Sequence, residues 1–271
     1  MPGKMKVAAL QMTSNEDVQR NVATALRLCE EAIADGAALV VLPECFALLG
    51  PEQQKLAVAE ALPEGGPILA RFAQLCRARS VELVLGGFWE RASDPQKVRN
   101  ACVHLGVDGA VRAVYRKIHL FDVDLPDGTS LRESATVEPG SVPVVTETGF
   151  GTLGLSVCYD LRFPELYRAL TDAGAIVLAI PAAFTLTTGK DHWHVLLRAR
   201  AIEAQCYVIA AAQTGRHFGQ RASYGHALIC DPWGTVLSEC GEGEGYALAA
   251  IDPSVVERVR ASVPSLKHRR M

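Results

Sequence analysis

The sequence predicts an α/β protein in which helices cover packed sheets. Strand-like and helix-like segments alternate along its 271 residues, and several strand-like runs, such as "ALVVL" and "AIVLAIPAA", are apolar on both faces. The strands are also too numerous for one open sheet to hold readily, so two packed sheets are expected. No low-complexity linker and no fixed-period repeat divides the chain, which predicts a single domain over residues 1–271.

The elements follow in order. "KVAALQM" reads as a strand. Ser14 is a good N-cap for a helix whose apolar positions Val18, Val22, Leu26, Cys29 and Ile33 keep helical spacing, and Gly36 closes it. "ALVVL" is a buried strand ending at Pro43-Glu44. "QQKLAVAEAL" and "ILARFAQLCRARS" predict two helices separated by "PEGGP". "VELVLGGF" is a strand, and "ACVHLGVDGAVRAVYRK" a hairpin turning at Asp108-Gly109. A polar loop from about 117 to 140 precedes the strands "VPVVTE" and "TLGLSVC". A helix from about Pro164 to Ala173, the strand "AIVLAIPAA" and a helix from about Asp191 to Gln205 come next. The strand "YVIAAAQ", the pair "HALICD" and "TVLSE", the strand "GYALAAID" and a helical tail complete the chain.

Composition narrows the function. Hydrophobic residues at 49% and charged residues at 21% belong to a globular protein, and a net charge of −3 argues against nucleic acid or an anionic membrane as the main partner. No stretch approaches the roughly 20 apolar residues of a membrane span. The eight cysteines are scattered without a CxxC pair, which suits neither a zinc site nor a disulfide scaffold. Seven read as small buried hydrophobes in a reducing cytoplasm.

Cys158 is the exception. In "GLSVCYDLRFPELYR" it ends an apolar strand and is followed at once by Asp160, Arg162 and Glu165. Glu44 and Lys117 hold comparable positions after their own strands, where α/β sheets bind ligands. Each alone has an ordinary reading: packing for the cysteine, a cap for the glutamate, a solvated lysine. Together they could cleave an amide. Glu44 takes the thiol proton, Cys158 attacks the carbonyl, and Lys117 with the Tyr159 N–H stabilises the oxyanion. No metal or cofactor enters this chemistry.

The segments "VVLPECF", "YRKIHLFDVDLP" and "GLSVCYDLRFPELYR" resemble, in order, the Glu, Lys and Cys motifs of the nitrilase superfamily of carbon–nitrogen hydrolases. The resemblance runs from about Lys6 to the C-terminus and implies a four-layer αββα sandwich, usually paired into dimers. It also implies Cys158 as nucleophile, Glu44 as general base, Lys117 as oxyanion-stabilising residue, and Glu133 as a second glutamate that holds the lysine. The run "YRKIHLFDVDLP…RES" and the tail "PSLKHRR" are similar to the Nit branch, which contains omega-amidases and deaminated glutathione amidases. "RASYGHALICDPWG" is more similar to the latter, although Ala227 stands where relatives commonly have serine. The expected substrate is therefore a small molecule, the amide of an omega-amido 2-oxo acid. Deaminated glutathione is the favoured substrate and 2-oxoglutaramate or 2-oxosuccinamate the first alternative, ahead of nitrile or carbamoyl substrates, an idle interaction protein and a thiol redox sensor.

A carboxylate-bearing substrate needs a cation, and Arg162 is the candidate, unless it pairs with Asp160 or Glu165 to fix the turn. Phe184 and Thr185 are expected on the pocket wall. His192 and His194 in "DHWH" lie two apart in a helix that Asp191 is expected to start, so they face different ways, and no third metal ligand stands at usable spacing. Trp193 is expected to pack inward and His226 to be a hydrogen-bonded structural histidine. Neither "LGGF" nor "GEGEG" has phosphate-loop spacing.

Overall fold

Along the first strand, alternate side chains enter two different cores. Val7 and Ala9 face one, Ala8, Leu10 and Met12 the other, the period-2 pattern of a strand covered on both faces. The computed structural model describes residues 3–124, 128 and 130–270. Its first half runs β1 (Met5–Met12), α1 (Val18–Ala34), β2 (Ala37–Val41), α2 (Gln54–Val58), α3 (Pro67–Arg79), β3 (Glu82–Arg91), β4 (Val98–Leu105) and β5 (Val111–Arg116). A short ribbon, β6 (Asp122–Asp124) and β7 (Ser130–Arg132), follows. The second half runs β8 (Val144–Thr148), β9 (Gly151–Leu155), α4 (Pro164–Asp172), β10 (Val177–Ala179), α5 (Leu186–Ala204), β11 (Tyr207–Ala210), β12 (Ala212–Arg216), β13 (Ala222–Tyr224), β14 (Leu228–Cys230), β15 (Val236–Glu239), β16 (Gly245–Ile251) and α6 (Pro253–Ser262).

Two sheets result. One has the order β13-β12-β1-β2-β3-β4-β5, with β16 antiparallel to β1; the other is β15-β14-β11-β10-β9-β8. Leu39, Val41 and Val84 of the first sheet pack in one core with Leu153, Leu155 and Val177 of the second. On the far side of the first sheet, Val40 and Leu83 meet Leu28 of α1 and Phe72 of α3. Leu170 of α4 and Leu197 of α5 cover the second sheet. This is a four-layer αββα sandwich. Among the described residues no helix is long and apolar enough to cross a membrane.

Several local expectations change. The first helix is capped by Asp17, whose carboxylate accepts from Arg20 N at 3.0 Å. Ser14 is buried, and its hydroxyl donates to the Phe46 carbonyl at 2.8 Å. The helix expected over "QQKLAVAEAL" stops at Val58 because Glu60 is drawn elsewhere. Its backbone pairs with Trp89 and Arg91, and its carboxylate accepts from Ile68 N and Leu69 N at the start of α3. The strand expected over "AIVLAIPAA" is regular only at Val177–Ala179 and continues as an isolated bridge from Ala182 to Ala212. Helix α5 starts at Leu186, not Asp191, because Thr185 caps it by accepting from Thr188 N. "YVIAAAQ" is two strands, β11 in one sheet and β12 in the other, which stitches the sandwich together at Ala211. Trp193 is buried, as its helical position requires.

Candidate active site

Three strands end at the three residues singled out in the sequence. β2 runs parallel to β3, and β4 is antiparallel to both β3 and β5, so β2 and β5 point the same way. Glu44 follows β2 and Lys117 follows β5. Cys158 follows β9, which belongs to the other sheet. The site is thus a seam where strand ends of two sheets converge.

At that seam Lys117 Nζ lies 3.0 Å from Glu44 Oε1 and 2.8 Å from Glu133 Oε2. Lys117 is 2% exposed and Glu44 4%. The Phe121 N–H donates to Glu133 Oε2 at 2.7 Å, and the Ala183 N–H to Glu44 Oε2 at 3.0 Å. Asn100 of β4, unremarked in the sequence, donates from Nδ2 to Glu44 Oε1 at 2.9 Å and to Glu133 Oε1 at 3.1 Å. One amide therefore bridges both carboxylates opposite the ammonium. Its signal in the sequence is faint: a polar residue beside the apolar run "ACV" in a strand.

Burial and pairing set the protonation states. Burial opposes the Lys117 charge, but the carboxylates of Glu133 and Glu44 outweigh it and hold the ammonium well above its usual range. Burial would raise Glu44, yet the Lys117 charge and hydrogen bonds from Cys158, Lys117 and Asn100 hold it below the usual carboxylate value. Burial and the neighbouring Glu44 charge push the Cys158 thiol well up. At rest the thiol is neutral and the carboxylate beside it ionised.

The turn carrying Cys158 is held from below. Cys158 has φ +50°, a left-handed conformation uncommon outside glycine. Its N–H donates to the Pro181 carbonyl at 2.9 Å. Asp160, fully buried, accepts from Tyr115 Oη at 2.7 Å, Val157 N at 2.9 Å and His119 N at 3.1 Å, and its Oδ1 lies 2.7 Å from His119 Nδ1. Four contacts thus fix a backbone strained by about 1–3 kcal/mol. Among the described residues nothing accepts from the Tyr159 N–H. On the opposite side, "LGGF" proves to be a bulge in β3. A Cβ on Gly87 would lie 2.3 Å from Cys45 N and 2.6 Å from Glu44 Cγ, so only glycine lets the strand approach the glutamate.

These groups form the floor of a cavity of about 240 Å³ whose walls include Trp89, Lys55 and Arg221. A smaller cavity shares Cys158, Phe121 and Ala183 with it and is lined by Tyr159, Arg162, Phe184 and Thr185. Arg162 pairs with neither Asp160 nor Glu165. Its Nη1 lies 3.2 Å from His192 Nδ1, and its guanidinium stands 5.2 Å from the Phe184 ring and 5.9 Å from the Tyr159 ring. The Thr185 hydroxyl, expected to face substrate, is engaged as the α5 cap. Leu125 and Pro126 of the lysine motif lie outside the described residues.

His194 and His226 come together with Glu239, a group the spacing within "DHWH" does not reveal. His226 Nδ1 and His194 Nε2 lie 2.6 and 2.9 Å from the same oxygen, Glu239 Oε1. His226 is hydrogen-bonded, as anticipated. Ala227 is fully buried, with its N–H donating to Gln11 Oε1 at 2.9 Å.

Known proteins resemble this one over nearly the whole chain. Residues 6–261 match the model of the carbon-nitrogen hydrolase family. A deaminated glutathione amidase of Synechocystis sp. is 49% identical over 97% of both chains. The deaminated glutathione amidase of Homo sapiens is 48% identical over 97% of this chain and 82% of its own. The crystal structure of the C. elegans NitFhit protein superposes with a TM-score of 0.92 at 40% identity, covering 99% of this chain and 65% of that one.

Proposed function

This chain belongs to the carbon–nitrogen hydrolase family of the nitrilase superfamily, and we propose that it is a cysteine-dependent amidase of deaminated glutathione. The observation that carries the chemistry is that the buried Glu44, Lys117 and Cys158 line one cavity, with Lys117 Nζ 3.0 Å from Glu44 Oε1. Similarity to the two deaminated glutathione amidases supports the substrate.

In this reading Glu44 takes the thiol proton as Cys158 Sγ attacks the amide carbonyl. The oxyanion forms between Lys117 Nζ and the Tyr159 N–H, donors already in place before substrate arrives. Glu44 hands its proton to the leaving amine, Cys-Gly departs, and a 2-oxoglutaryl thioester remains on Cys158. Glu44 then takes a proton from water as it attacks the thioester, and passes it to the Cys158 sulfur as the C–S bond breaks and 2-oxoglutarate is released. Glu133 and Asn100 hold Lys117 and Glu44 in register. Arg162 receives the carboxylate of the oxo-acid half.

The test is 2-oxoglutarate release from deaminated glutathione and from 2-oxoglutaramate at matched concentrations. Preference for the first is expected. Preference for the second would make the protein an omega-amidase. We also propose a homodimer in the cytoplasm. The exposed apolar residues Val195 and Ile202 of α5, with Trp233 and Val263, support the dimer, and eight free cysteines suit a reducing compartment. Sedimentation at a mass near 29.1 kDa would refute the dimer.

A further inference from the structure

The charges lining the main cavity do not all find partners. Lys117 faces Glu44 and Glu133. Lys55 pairs with Glu52, which also accepts from the Thr136 hydroxyl. Arg132 is bonded to Asp124 and to the carbonyls of Val123 and Leu131. Arg221 is left. It is half-buried in the wall, and among the described residues no hydrogen bond or ion pair engages its guanidinium. Its field reaches Glu52 and Cys45 without a matching charge in contact.

The turn that presents Arg221 is anchored. Its carbonyl accepts from His217 N and its N–H donates to the Phe218 carbonyl, both at 3.0 Å. His217 Nδ1 lies 2.8 Å from the Ser14 carbonyl, which can only accept, so Nδ1 carries the proton and Nε2 accepts from the Ser223 hydroxyl at 2.8 Å. Ser14 in turn donates to the Phe46 carbonyl, two residues beyond Glu44. An unpaired guanidinium on so fixed a base is preorganised for a planar anion.

We propose that Arg221 is a specificity-determining residue that grips a carboxylate on the amine half of the substrate, the half that leaves when Cys158 is acylated. Two cavities meet at Cys158, one containing Arg162 and the other Arg221. A substrate with its scissile amide at Cys158 would extend its amine half along the main cavity, whose wall includes Arg221. The assignment rests on the amidase reading above and extends it. It states that the preferred amine is one ending in a carboxylate, and it gives a physical reason for choosing a peptide-like amide over a simple one.

The experiment compares kcat/KM for deaminated glutathione, the same compound with its glycine carboxylate capped as a primary amide, and 2-oxoglutaramate. Wild-type protein, Arg221→Gln and Arg221→Lys are measured with each. The expected wild-type preference for the free over the capped carboxylate is on the order of 30-fold. Arg221→Gln should erase it, and Arg221→Lys should keep part of it. A preference that Arg221→Gln does not change, whether activity falls on all three substrates together or on none, overturns the assignment. Wild-type protein that hydrolyses 2-oxoglutaramate but not deaminated glutathione overturns the substrate reading itself, and this assignment with it.

Discussion

At the floor of the cavity Lys117 faces two carboxylates, each within 3.1 Å, whereas among the described residues Arg162 and Arg221 face none. The floor groups follow strand ends, are nearly inaccessible to water, and satisfy one another. The arginines stand on turns, half-buried, without a carboxylate partner among the described residues, Arg162 Nη1 meeting His192 Nδ1 at 3.2 Å. Preorganised charge at the floor can serve any amide or nitrile carbon brought to Cys158. On the proposed reading, selection among substrates falls to the walls, where a substrate carboxylate would complete the ion pairs.

Substitutions can break this division, beginning where the effect is largest. Cys158→Ala should remove turnover by at least about 10⁴-fold while leaving the far-UV spectrum unchanged. Lys117→Ala should cost on the order of 100-fold in kcat. It also leaves two buried carboxylates without their cation, so the melting temperature should drop, with a loss of about 3 kcal/mol or more. Retained activity in this variant would place the oxyanion elsewhere. Asn100→Leu, which removes the bridge between Glu44 and Glu133, should lower kcat about 10-fold with little change in KM. A loss confined to KM would instead make Asn100 a substrate contact. The change in Arg221 selectivity is expected to be of similar size or somewhat larger, and at the walls alone.

The pH dependence sharpens the same comparison. Glu44 is held below its usual value and Cys158 well above its own, so neither changes charge near neutrality. We expect kcat/KM to be flat from about pH 6 to 9 and to fall in acid as Glu44 gains a proton. A tenfold rise per pH unit through this range would mean that a preformed thiolate reacts. Stability follows the signs of the shifts. Glu44, depressed in the fold, contributes fully above its unfolded value, and its contribution is lost as pH falls through the folded one. Lys117, raised in the fold, contributes fully below its unfolded value and loses that contribution as pH rises through the folded one. His217, lowered to about 4 by burial, adds a loss of stability as pH falls from about 6.5 toward 4.

Legibility in the sequence follows how local the determinant is. Alternation along "KVAALQM" gives a strand covered on both faces because side-chain direction is a local property of the backbone. The flanks of Glu44, Lys117 and Cys158 are long motifs, so those positions stand out before any contact is known. Asn100 does not stand out, because its role arises only when β4 lies between two carboxylates 56 and 33 residues away. Thr185 does line the smaller cavity, but the sequence does not show that its hydroxyl is taken up in capping α5. The strand switch at Ala211 is hidden because "YVIAAAQ" is equally apolar in both sheets. The role of Gly87 depends on a close approach to Glu44 that no spacing rule contains.

The most direct test of the account is the mass of the protein quenched in acid during turnover of deaminated glutathione. A 2-oxoglutaryl adduct on the peptide containing Cys158, cleared when substrate is exhausted and missing in Cys158→Ala, is the predicted result. Turnover without any adduct, together with full activity in Cys158→Ala, would contradict it.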